Sequence, residues 1–252
     1  MEDKSHAAVS FPLYRKFKSV MQAVIFAAGE GKRMQPLTLE TPKPLLQVCG
    51  KPLLSYTLAC LPDEVDEIIF IVGYKEEQIR AYIATQVADK KVSFVRQTAP
   101  TGTGSALLLA RPHLTGGRFL TVYADDIYAK NDLEKLLRQE RGMLLAHAAD
   151  PTRFGVVTLD DDGRVLGIEE KPPQPKSNLV STGVYLLDEN VFSYPAEVRA
   201  NGERYLTDMV EAYARDHALA GVESEQWIQI GYPEDLVRAE GILRSRNSPL
   251  LV

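Results

Sequence analysis

The chain has 252 residues, 45% hydrophobic and 25% charged, which is enough for a sizeable core in one domain. A formal charge of −5 argues against a nucleic-acid backbone as the main partner, and no apolar run approaches the roughly 18 residues of a membrane span. Cys49 and Cys60 have neither metal-site nor C-x-x-C spacing, so they read as free thiols compatible with a reducing cytoplasm.

Residues 1–20 read as an extension: polar to Ser10, then mixed aromatic and basic, without the apolar core or cleavage site of a secretory signal. Ala23-Val24-Ile25-Phe26 follows as an uncharged strand buried on both faces. It breaks into Ala27-Ala28-Gly29-Glu30-Gly31-Lys32-Arg33, where glycines let the backbone approach a ligand and successive N–H groups can cup an anion. The Walker pattern fails because Arg33 stands where a hydroxyl is needed, and the dinucleotide fingerprint fails at Met34. Pro36, Pro42 and Pro44 forbid a regular helix directly after the glycines, so phosphates would be held by a long extended loop carrying Arg33 and Lys43. A basic pocket in an acidic chain suits a small phosphorylated ligand.

Helices are expected from Leu53, after Pro52, and over Glu76–Val87, Thr103–Arg111 and Asn131–Arg138. Strands are expected at Ile68–Val72, Val92–Val95 and Phe119–Tyr123. This alternation predicts an α/β fold, a doubly wound, mostly parallel sheet of Rossmann-like kind, with ligands beyond the carboxyl ends of its strands. The second half reads as a mixed α/β lobe. It holds a strand at Met143–Ala149, a hairpin over Gly155–Leu159 and Arg164–Ile168, and strands at Val184–Leu187 and Gln226–Ile230. Its helices are placed at Tyr205–Ala214 and Pro233–Leu243.

Three stretches beside the loop carry chemistry. Gln97, Gly102 and Thr103 offer an amide and close backbone approach to a flat ring, or else a glycine turn with Thr103 as helix cap. Asp125 and Asp126, ending a buried strand, suit a hard cation near phosphates, or an Asp-Asp turn. Gly155 with Glu170 and Lys171 could grip hydroxyls and a phosphate, or form a charged strand edge.

The loop from Ala27 to Leu46 resembles, without a gap, the signature of the sugar-1-phosphate nucleotidyltransferases: A-A-G-x-G-x-R-[ML]-x-P-L-T, then P-K-P-[LM]-[LVI]. Further resemblances keep the family's order. They lie in Gln97–Thr103, in Ala124-Asp125-Asp126 with alanine for the family's glycine, in Phe154-Gly155-Val156-Val157 with Glu169-Glu170-Lys171-Pro172, and in Asn178–Tyr185. The last is Trp227–Leu236, and together they run from about residue 21 to about residue 240. The resemblance implies Mg²⁺ on Asp125, with Ala27, Ala28, Gly29, Gly31, Lys32 and Arg33 on the triphosphate. It implies Gln97, Gly102 and Thr103 at the base, and Gly155, Glu170, Lys171, Asn178 and Thr182 at the sugar phosphate. Arg33 and Lys43 would be catalytic. Gln229 stands where many members carry a second metal-binding Asp; a neutral amide oxygen is a weaker ligand, and Asp126 is a candidate to compensate.

The implied organisation is an extension at 1–20 and one domain at 21–245, with a nucleotide half at about 21–140 and a sugar half at about 141–245. Longer members often carry a C-terminal left-handed β-helix. The sequence ends at Val252, so the expectation is a domain without it. The implied reaction joins a nucleoside triphosphate, UTP or dTTP, to a sugar 1-phosphate, glucose 1-phosphate by default, in the cytoplasm. Alternatives are a GTP-using mannose-1-phosphate guanylyltransferase, a CTP-dependent activation of phosphocholine, and a regulatory subunit that binds nucleotide sugar without turnover. Neither nucleic acid nor membrane is an expected partner, and a homo-oligomer stays open.

Overall fold

The computed structural model describes residues 20–245, so the extension read at 1–20 lies, but for Val20, outside the described residues. Nine strands form one sheet: β1 (Met21–Ala27), β2 (Val65–Val72), β3 (Lys91–Arg96), β4 (Arg118–Tyr123), β5 (Gly142–His147), β6 (Gly155–Leu159), β7 (Val165–Glu170), β8 (Leu179–Asp188) and β9 (Ala220–Glu223). Six α-helices accompany them: α1 (Leu53–Cys60), α2 (Glu76–Gln86), α3 (Thr103–Ala110), α4 (Lys130–Leu137), α5 (Leu206–Asp216) and α6 (Pro233–Ser245).

The first four strands are parallel, in the order β3-β2-β1-β4. Strand order reverses between β1 and β4, and that reversal opens a crevice at their carboxyl ends. Both faces of the sheet are covered, as the unbroken apolar runs of β1 and β2 require. On one face Val24, Phe26, Ile69 and Ile71 pack under Leu107 of α3 and Met209 and Tyr213 of α5. On the other, Ala23, Ile25, Ile68 and Phe70 pack under Leu54, Ile79 and Leu133 of α1, α2 and α4. Each buried Val, Leu, Ile or Phe contributes about 1.5–3 kcal/mol relative to exposure.

The second half extends the same sheet, largely antiparallel. Its axis is β8, whose Tyr185–Asp188 pairs with β4 while Leu179–Ser181 pairs with β5. The register breaks between Ser181 and Tyr185, where Gly183 has φ +85°, and Thr182-Gly183 turns to the crevice. The hairpin of β6 and β7 sets Gly155 directly opposite Glu170.

Several strand expectations change, the one at Val184–Leu187 lengthening to Leu179–Asp188. β9 was not foreseen; it is four residues containing Gly221, paired in parallel with β5. The expected strand Gln226–Ile230 shrinks to Trp227-Ile228, paired with Ile127-Tyr128, because Gln229 and Ile230 turn aside into the site described below. Among the described residues no helix is long and apolar enough to cross a membrane.

Candidate functional site

A cleft of about 450 Å³ opens at the carboxyl ends of β1 and β4. A second hollow of about 320 Å³ adjoins it, over the loop that follows β1. That loop has no α-helix, as its prolines require. It folds instead into three single 3-10 turns, at Lys32–Met34, Leu37–Leu39 and Lys43–Leu45. Tyr74 Oη donates to the Thr38 carbonyl at 2.8 Å, and Gln78 Nε2 to the Glu40 carbonyl at 3.0 Å. Met34 and Leu46 pack with Ile230, Ala239 and Leu243, so α6 ties the loop to the Trp227–Ile230 segment.

Lys43 is the loop's fixed point. Its buried ammonium donates to Asp125 Oδ2 at 2.5 Å and to the Ile230 carbonyl. Arg33 is exposed and lies over the Tyr232 ring at 5.4 Å. Ala28, Gly29, Arg33, Lys43 and Asp125 line the main cleft; Ala27, Gly31 and Lys32 line the adjoining hollow.

The two neighbouring aspartates have different surroundings. A third of the Asp125 side chain stays open. Asp126 is buried, its Oδ2 accepting from Trp227 Nε1 at 3.0 Å and its Oδ1 from Ile230 N–H at 2.8 Å. Burial first, and the Asp125 carboxylate second, push the Asp126 pKa up against the pull of Lys43. The expectation that Asp126 would stand in as a metal ligand meets a carboxylate whose oxygens hold the Trp227–Ile230 segment in place.

Gln97 and Gly102 meet at the far side of the cleft. Gln97 Nε2 donates to the Gly102 carbonyl at 3.1 Å and lies 3.4 Å from Thr101 Oγ1. Thr103 is not the cap of α3; Gly102 is, and Thr103 Oγ1 accepts Leu206 N–H at 3.0 Å. Arg204 N–H donates to the Thr101 carbonyl and Gly104 N–H to the Arg204 carbonyl, both at 2.9 Å. These bonds join the entrance of α3 to that of α5, and so one half of the chain to the other.

Gly155, Glu170, Lys171 and Thr182 line the cleft from the second half. A Cβ on Gly155 would stand 2.9 Å from Ile168 and 3.3 Å from Glu170 Oε2. Lys171 Nζ is 3.1 Å from Glu170 Oε1 and 4.6 Å from the Tyr205 ring centre. Thr182 Oγ1 donates to the Leu144 carbonyl at 3.0 Å, so its role is partly in the sheet. Asn178 is not brought to the cleft; it is exposed, and its Oδ1 bonds His147 Nδ1 at 2.8 Å.

Gln229 lines the cleft, but its amide is engaged. Its two neighbours are donors, which sets the amide's orientation. The oxygen accepts from Arg153 Nη2 at 3.1 Å and from Gly231 N–H at 3.3 Å. A cationic donor at that distance disfavours a divalent ion on the same oxygen. Arg153 escaped the sequence reading although it immediately precedes Phe154-Gly155, because nothing local links it to residue 229. The substitution at 229 was the signal that could have prompted a search for a new neighbour.

Among the described residues no three His, Cys, Asp or Glu side chains group to hold a metal. Mg²⁺ accompanying phosphates needs only one or two carboxylates, the rest being phosphate oxygens and water. Asp125, partly open beside the loop that follows β1, fits that requirement as a single carboxylate through Oδ1, since the Lys43 ammonium occupies Oδ2. Gln229 in this arrangement does not.

Comparison with known proteins gives a consistent result. A bifunctional protein GlmU from Methanocaldococcus jannaschii is 34% identical over 226 residues, covering 88% of this chain and 54% of its own length. The chain thus spans about half the length of that relative. The UTP–glucose-1-phosphate uridylyltransferase AglF of Haloferax volcanii is 30% identical over 240 residues, 90% of this chain and 98% of its own. A Bacillus anthracis protein crystallised with sucrose, a candidate glucose-1-phosphate thymidylyltransferase, superposes with a TM-score of 0.80 at 29% identity, covering 91% of this chain and 97% of that one. A UDP-glucose pyrophosphorylase complexed with UDP-glucose shares the fold at a TM-score of 0.79 and 20% identity, over 90% of this chain and 99% of that one. The nucleotidyl transferase family model matches residues 22–246, all of the sheet but Met21, and the chain belongs to that family.

Proposed function

We propose that the chain joins a nucleoside triphosphate to a sugar 1-phosphate, giving a nucleotide sugar and pyrophosphate, with Mg²⁺. The carrying observation is that Arg33, Lys43, Asp125 and Lys171, from both halves of the chain, line one cleft at the switch point of the sheet. A sugar phosphate is already an anion at neutral pH, so no strong general base is needed. The protein's task is to align two anions and offset the charge that develops at the α-phosphorus.

Lys43 has three N–H donors, two of them used by Asp125 and Ile230, which leaves one for a phosphate oxygen. Arg33 and the Gly29–Arg33 backbone hold the β- and γ-phosphates, and Lys171 holds the sugar phosphate. Asp125 would hold the Mg²⁺, which would supply charge neutralisation for the phosphates.

Gln97 supports a uracil or thymine base. Its NH₂ is spent on Gly102, which leaves the amide oxygen as an acceptor for a ligand. Uracil and thymine offer N3–H there; cytosine offers a bare N3. Guanine N1–H has the same polarity, so GTP belongs in the test. AglF, named as an enzyme of UTP and glucose 1-phosphate, supports the same pair.

The test is pyrophosphate release over a panel of triphosphates and sugar 1-phosphates with Mg²⁺. The expected outcome is highest kcat/KM with UTP or dTTP and glucose 1-phosphate, and a loss of about 10²–10³ in kcat for Asp125→Ala. Tight nucleotide-sugar binding with no pyrophosphate from any pair would instead identify a binding-only regulatory subunit.

A further inference from the structure

Arg153 is a cation that the proposed reaction has not yet used. Its Nη2 is held by the Gln229 amide oxygen at 3.1 Å. Its guanidinium lies over the Tyr232 ring at 4.6 Å, and Arg33 lies against the same ring at 5.4 Å. Among the described residues no carboxylate lies within salt-bridge distance of Arg153, and its Nε is buried without a hydrogen-bond partner.

The place is built for this side chain. A Cβ on Gly231 would stand 2.5 Å from Arg153 Nη2, so the glycine makes the room the guanidinium fills. The neutral partner decides the electrostatics. A carboxylate at 229 would hold Arg153 equally well but cancel its charge; an amide holds it and leaves the charge intact. The result is an oriented guanidinium with no direct carboxylate partner among the described residues, on the wall of the cleft that also carries Lys43 and Asp125.

We propose that Arg153 is a second polyphosphate-binding arginine, acting with Arg33 on the triphosphate end of the nucleotide and on the pyrophosphate that leaves, and that Gln229 positions it. The inference rests on the nucleotidyl transfer proposed above. Tyr232 sets its location: both guanidiniums lie near the same ring, which places Arg153 beside Arg33. Gln229 thereby exchanges a position suited to a metal-binding carboxylate for one that keeps a protein cation in place.

Inorganic pyrophosphate and glucose 1-phosphate, each alone in metal-free EDTA buffer, are the probes, read by isothermal titration calorimetry on the full chain. Arg153→Gln is expected to weaken pyrophosphate binding about tenfold or more, in line with a lost hydrogen-bonded charge. Gln229→Glu, which keeps the arginine but neutralises it, is expected to weaken it comparably, and Arg153→Lys less. Glucose 1-phosphate binding should stay within about twofold in all three. With EDTA present, a new carboxylate at 229 cannot act through a metal. The proposal is overturned if Gln229→Glu binds pyrophosphate as the wild type does. Weakening of glucose 1-phosphate in place of pyrophosphate, or no pyrophosphate binding by the wild type, also overturns it. Wild type that turns over while Arg153→Gln binds pyrophosphate normally sinks this assignment alone. Wild type that releases pyrophosphate from no substrate pair sinks the proposed reaction instead.

Discussion

The cleft has one lysine from each half of the chain, and the two are held in opposite ways. Lys43 leaves only 10% of its side chain exposed, and both its carboxylate and its carbonyl partner are in place before any ligand arrives. Lys171 is 49% exposed, rests on Glu170 and the Tyr205 ring, and sits at φ +49°, a left-handed conformation that disfavours a side chain. Desolvating Lys43 is offset by its fixed partners, and in the proposed reaction its charge would need no reorganisation to meet the phosphates. Lys171 keeps solvent and freedom, which suits the sugar phosphate proposed for it, whose position would depend on the sugar attached. Under the proposed reaction, the lysine assigned to the reacting phosphates is fixed in place and the lysine assigned to the sugar phosphate is open.

The contrast breaks most visibly at Lys43. Lys43→Ala is expected to lower kcat by about 10³, the upper end for one lost preorganised donor. It also leaves Asp125 and the Ile230 carbonyl without their donor, at a cost of about 1–3 kcal/mol. Pyrophosphate release and the Tm together test this; an unchanged Tm would mean that Lys43 is not structurally fixed. Lys171→Ala is expected to cost about 10² in kcat/KM, mostly through KM for the sugar 1-phosphate. Its unfolding free energy should stay within about 0.5 kcal/mol of the wild type, because the side chain is half-exposed. Steady-state kinetics at saturating nucleotide, with a urea melt, separate the two lysines.

The same division governs what the sequence could disclose. β1, β2 and α2 were legible because a buried parallel strand is an unbroken apolar run, and an amphipathic helix repeats at 3.6 residues. The prolines after Gly31 foretold a loop without an α-helix, although not its three 3-10 turns. β9 was not legible: Ala-Gly-Val-Glu has no period, and its partner β5 lies far earlier in the chain. Residues of the cleft that sit in contiguous motifs, such as Gly155 with Glu170 and Lys171, were named correctly as neighbours because a hairpin register joins them. Arg153 with Gln229, and Lys43 with Ile230, are contacts across the fold, and no local pattern encodes them. Asn178 shows the converse, a residue that a motif suggests and the backbone carries outward to His147.

The smallest effect gives the finest test of the contrast, because it keeps the charge and changes only its shape. Arginine spreads its charge over a rigid planar fork, whereas lysine concentrates it at the end of a flexible stem. At position 171, half-exposed and beside an aromatic ring, a guanidinium has room to stack on Tyr205 and still meet a phosphate. Lys171→Arg is therefore expected to cost about two- to fivefold in kcat/KM, far less than Lys171→Ala. At position 43 the surroundings are closed, and a larger planar head must displace Asp125 or the Ile230 carbonyl, an overpacking that costs about 1–3 kcal/mol. Lys43→Arg should thus be nearly as inactive as Lys43→Ala. Kinetics of the four variants side by side read the difference directly. If arginine rescues both positions equally, a positive charge alone suffices at each, and the rigidity of the Lys43 site has no part in the rate.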